Sequence, residues 1–85
     1  MFATDFSFEG QLYTCTFELE SYSDCFVVIV HLADGNLRAI TGINPFSLKY
    51  SVDLESAQWA ITNQESKQES LLKNIIAGAV RTEIG

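Results

Sequence analysis

The sequence predicts an α+β fold: an antiparallel β-meander of five or six strands with one C-terminal amphipathic helix packed on the concave face. Three observations predict it. Cys25-Phe26-Val27-Val28-Ile29-Val30-His31-Leu32 is rich in β-branched and aromatic residues and is the most strand-prone stretch of the chain. Phe46, Leu48, Tyr50, Val52 and Leu54 alternate with Ser47, Lys49, Ser51, Asp53 and Glu55, which is the period of a strand with one buried face. Near the C-terminal end, Leu71, Leu72, Ile75, Ile76, Ala79 and Val80 recur at helical spacing and form one apolar stripe.

The first strand is read over Phe2–Phe8, with Phe2, Thr4, Phe6 and Phe8 on one face. Gly10-Gln11 then offers a two-residue hairpin loop with glycine at its first central position. That loop sets Phe8 opposite Tyr13, Phe6 opposite Cys15, Thr4 opposite Phe17 and Phe2 opposite Leu19. Every large apolar residue of the second strand, Leu12–Glu20, except Leu12 itself then joins the apolar face of the first, and a one-residue slip would undo this.

Ser21–Asp24 has loop composition and pairs Glu20 with Cys25 at the start of the third strand, Cys25–Leu32. Asp34-Gly35 is a hairpin signal and leads to a fourth strand over Leu37–Thr41. Asn44-Pro45 breaks the pattern before the fifth strand, Phe46–Leu54. Residues 56–62 fit both periods: Ala57, Trp59 and Ile61 alternate, while Leu54, Ala57 and Ile61 recur as on a helix. The strand reading over 57–62 is favoured.

Thr62 to Ser70 lacks large apolar residues and forms the helix entrance. Thr62 with Glu65, or Ser66 with Glu69, has the spacing of a capping box. The helix is expected over 66–81, with Glu69 and Lys73 as an ion pair and Arg81 near the negative end of the dipole. Gly78, inside the helix, is read as a point of close approach to the sheet.

With 85 residues, 47% hydrophobic and 19% charged, the chain reads as one folded domain over residues 1–85. Its net charge is −6, from eleven acidic and five basic residues, so it lacks the basic footprint of a nucleic-acid or anionic-membrane binder. The longest apolar run, Cys25–Val30, is too short to span a bilayer, and no basic leader precedes an apolar segment. The expected location is the cytoplasm, and no cofactor is expected.

Few residues point to chemistry. Cys15 and Cys25 are expected to be reduced thiols, one facing the core and one at the far end of its strand on the opposite face; two thiols without a Cys-x-x-Cys do not make a zinc site. His31 shares strand parity with Cys25 but lies about 20 Å along a straight strand from it, too far for a dyad. Glu18/Glu20 and Asp53/Glu55 are spaced like some carboxylate pairs, yet they alternate with core residues and read as a solvated face. No phosphate loop or nucleophile elbow is present. The chain is therefore expected not to be an enzyme.

One surface is less bland. Val27, Ile29 and Ile40 are expected to share the convex face, with Leu12 nearby and His31, Arg38, Thr14, Thr16 and Glu18 around them. Left uncovered, such a patch marks contact with another chain; alternatively, the loop around Ile43–Pro45 folds over it. The leading functional expectation is a small protein-interaction module that binds another protein or itself as a homo-oligomer. The alternative is a small-ligand carrier with a cavity between sheet and helix, lined by Phe6, Tyr13, Phe17, Tyr50 and Trp59.

Overall fold

A computed structural model describes residues 1–42, 44–53, 57–59 and 66–85. Five strands form one antiparallel sheet in the order β1-β2-β3-β4-β5: β1 Phe2–Phe8, β2 Gln11–Ser21, β3 Cys25–His31, β4 Phe46–Ser51 and β5 Ala57–Gln58. Helix α1, Gly35–Thr41, lies between β3 and β4, and helix α2, Lys67–Ile84, follows the sheet. The α+β class, the antiparallel sheet and the terminal helix are as the sequence predicts.

The faces follow the expected parity. Phe6, Phe8, Cys15, Phe17, Val28, Val30, Phe46, Leu48 and Tyr50 point to one side and join Leu37 of α1 and Leu72, Ile76 and Val80 of α2 in one core. Both helices thus cover the same face. Leu72, Ile76 and Val80 are wholly buried, each contributing about 2 kcal/mol by leaving water. Tyr50 is also wholly buried, and its hydroxyl donates to the Ala77 carbonyl.

Both hairpins differ from expectation by two residues. The β1–β2 turn is Glu9-Gly10, with Phe8 opposite Gln11, Phe6 opposite Tyr13 and Phe2 opposite Phe17. Glu9 and Gly10 both have positive φ, 51° and 79°, the backbone that matches the twist of a tight hairpin. In the next hairpin Ser21 faces Phe26, and the Tyr22 amide donates to the Cys25 carbonyl, so the turn is Ser23-Asp24. A shift of two preserves every side-chain face, so hydrophobic alternation alone does not distinguish these registers.

The expected fourth strand, Leu37–Thr41, is instead α1. The Asp34 carboxylate accepts hydrogen bonds from the amides of Asn36 and Leu37, at 2.9 and 3.1 Å, and caps a helix where Asp-Gly suggested a hairpin. Leu37 and Thr41, four apart, supply its buried side. Phe46–Ser51 takes the place beside β3, with Val30 opposite Phe46. Asn44 completes that join: its side-chain amide accepts from the Leu32 amide at 2.8 Å and donates to the Leu32 carbonyl at 3.1 Å. The Asn44-Pro45 peptide is cis.

β4 ends at Ser51, and Val52 is exposed in a turn rather than buried in a strand. Of the expected sixth strand, Ala57–Gln58 is present as β5; residues 60–62 lie outside the described residues, as do Ile43, Leu54, Glu55 and the Thr62–Glu65 box. Ser66 caps α2, its hydroxyl accepting from the Glu69 amide at 3.0 Å, and the helix runs past 81 to Ile84.

The buried stripe of α2 is rotated from the one expected. Leu71 is exposed, while Lys73 and Ala77 are buried beside Leu72, Ile76 and Val80. Lys73 is kept there by Glu69, 2.8 Å away, and by the ring of Phe46, 5.5 Å from its ammonium. Gly78 is not a point of close approach. It is exposed, and a Cβ built on it meets nothing within 4 Å.

Candidate interaction surface

The face opposite the helices carries the remaining strand residues. Odd positions of β3 and β4 and even positions of β2 point there, as the core assignments of their neighbours require. Pairing arranges them in cross-strand rows. Glu20 lies beside Val27, which lies beside Lys49; one row along, Glu18 lies beside Ile29, which lies beside Ser47. Thr16 and His31 form the next row.

Val27 and Ile29 are half-buried, held between neighbours on both sides, whereas Glu18, Glu20, Ser47 and Lys49 are exposed. The result is a narrow apolar strip along β3 with acids on the β2 side and a lysine on the β4 side. His31 Nε2 is 3.3 Å from Glu18 Oε2, diagonally across β2 and β3. Thr14 donates to Asp5 at 2.6 Å nearer the β1 edge. Tyr22, 54% exposed at the end of β2, donates to Glu20 at 2.7 Å. Beyond Val27, a shallow depression of about 240 Å³ is bordered by Lys49, Gln58 and Trp59.

Of the five residues expected to form one patch, Val27, Ile29 and His31 are together. Ile40 and Arg38 are not, because both belong to α1, which packs on the opposite face. Ile40 is half-buried against the core, and Arg38 is exposed. Leu12 is on the correct face but two rows beyond His31, and it is 72% exposed. Lys49, Gln58, Trp59 and Tyr22 were missed. The alternation of β4 does point Lys49 outward, but its place beside Val27 depends on Leu37–Thr41 not being a strand.

The thiols are poorly suited to nucleophilic work. Burial, and then the charge of Asp5, push Cys15 up to about 11, and burial followed by Asp24 raises Cys25. Both thiols are free, and they occupy different faces of the sheet. No group of three metal-ligating side chains occurs among the described residues. No helix among them is long and apolar enough to cross a membrane.

The aromatic side chains considered for a cavity mostly fill the core. Phe6, Phe17 and Tyr50 are buried, and Trp59 packs against the core from β5's end. Tyr13 alone borders a larger opening, a cleft of about 430 Å³ between the β1–β2 turn, α1 and the start of α2. Gln68 bridges it by donating to Glu9 at 2.7 Å. Comparisons with protein-family models, curated proteins and solved structures find no match to this chain.

Proposed function

We propose that the chain is a small non-enzymatic interaction module of the cytoplasm that associates with a second copy of itself through the outer face of its sheet. The observation that carries this is the Val27–Ile29 strip, two large apolar side chains on a face that neither α1 nor α2 covers. Apolar surface on an otherwise polar face gains free energy when another chain removes it from water. The acidic surface suits a protein contact rather than a polyanion. Solution mass, measured by light scattering at two concentrations, should show a dimer. Val27→Asp or Ile29→Asp should shift it to monomer with the circular dichroism unchanged. Equal association in those variants would sink the reading.

A second reading, a small-ligand carrier, draws on the cleft beside Tyr13, whose volume falls within the range of small-molecule sites. A ligand there should raise the melting temperature in proportion to occupancy. A metabolite panel that leaves the melting temperature unmoved would count against it.

A further inference from the structure

Resting on the reading that the outer face is the docking surface, we propose a specific arrangement of the two copies: a two-fold axis runs along β3, so that Lys49 of each protomer meets Glu20 of the other across a central strip of Val27 and Ile29. A surface that packs on its own copy needs a two-fold axis lying in the interface. For two sheets that pack with their strands aligned, that axis runs close to the strand direction or close to the perpendicular across the strands.

Charge separates the two choices. An axis across the strands lays β2 on β2. Glu20 and Glu18 of one copy then face the same acids of the other, with no cation between them, and like charges so placed repel. An axis along β3 lays β2 on β4. The row of Glu20, Val27 and Lys49 then meets its own reversal: acid faces lysine on both sides, and valine faces valine at the centre. In the next row Ile29 meets Ile29, and Glu18 meets Ser47. Among the described residues, Lys49 has no ion-pair partner. Sheets packed face to face lie about 10 Å apart with strands within about 30° of one another, a gap that lysine and glutamate side chains together span.

Shape points the same way. The depression beside Val27, Gln58 and Trp59 lies on the β4 side of the axis, and the exposed ring of Tyr22 lies on the β2 side. The axis along β3 brings the tyrosine of each copy toward the depression of the other. The hydrogen bond from Tyr22 to Glu20 makes the two groups one unit at that contact.

The test compares the unaltered chain, Lys49→Glu, Glu20→Lys, an equimolar mixture of those two variants, and Val27→Asp, by light scattering over a concentration series. The unaltered chain is expected to dimerise. Each charge reversal should weaken the dimer by about tenfold or more, because symmetry repeats the repulsion twice. The mixture should restore dimerisation, since each reversed charge then meets its opposite. Recovery on mixing also shows that both variants are folded. If Val27→Asp dissociates the dimer while the charge reversals have no effect, or mixing restores nothing, the arrangement is overturned and the docking surface stands. A chain that stays monomeric at every concentration, or a dimer untouched by Val27→Asp, overturns both.

Discussion

The hydroxyl of Tyr50, next to the last residue of β4, donates a 2.7 Å hydrogen bond to the carbonyl of Ala77, in the middle of α2. It is a polar bond made inside the core, between the sheet and the helix that covers it. Tyr50→Phe keeps the ring and removes the bond, and should cost about 1 kcal/mol. Burial pushes the Tyr50 phenol from 10 up to about 12, so the folded state favours the protonated form. The associated stability is fully present below pH 10 and is lost as pH rises through about 12, a total of about 2–3 kcal/mol. Cys15, raised from 9 to about 11, adds a loss of the same sign that begins earlier. Urea midpoints followed from neutral to strongly alkaline pH check this, and Tyr50→Phe should lack the later part of the fall.

Glu69 and Lys73 have the spacing of an ordinary surface ion pair, but their side chains are only 12% and 7% exposed. An exposed pair at this spacing contributes about 0.3–0.5 kcal/mol. Here removal of Lys73 leaves the Glu69 carboxylate poorly solvated, so Lys73→Ala should cost about 3 kcal/mol, and Glu69→Ala should cost less because Lys73 keeps the Phe46 ring. Replacing both with leucine should cost less than the sum of the single changes. A double-mutant cycle by chemical denaturation measures the coupling.

Gly78 sits in the body of α2 with open space where a Cβ would project. Gly78→Ala should therefore stabilise the chain by about 1 kcal/mol, as helix propensity alone dictates. Thermal unfolding checks the sign. A loss of stability would mean that another chain approaches the helix at this position.

Much of the fold was legible in the sequence because alternation reports which side a residue faces. Phe6, Cys15, Phe17, Val28, Val30, Leu48 and Tyr50 all lie where their parity puts them. Parity fixes register only modulo two, and both hairpins moved by two residues. Leu37–Thr41 failed for a different reason. A seven-residue helix carries too few turns to display its period, and Asp34 before Gly35 serves equally as a hairpin turn or a helix cap. Only the carboxylate's bonds to Asn36 and Leu37 decide between them. That one segment also removed Ile40 and Arg38 from the candidate surface and brought Lys49 into it. Gly78 misled because a glycine in a helix signals either crowding or tolerance, and the sequence does not distinguish the two.

Placing both helices on one side of the sheet has a consequence for synthesis. All five strands leave the ribosome before α2 does. Until that helix arrives, only α1 covers that face, and much of the apolar wall of Phe6, Phe17, Val28, Leu48 and Tyr50 stays uncovered on the nascent chain. Such a wall adheres to whatever apolar surface is nearest, including the same wall on a neighbouring nascent chain. The strands are thus committed to waiting for their cover, and a slow stretch of translation before residue 67 would lengthen the interval in which aggregation competes with folding.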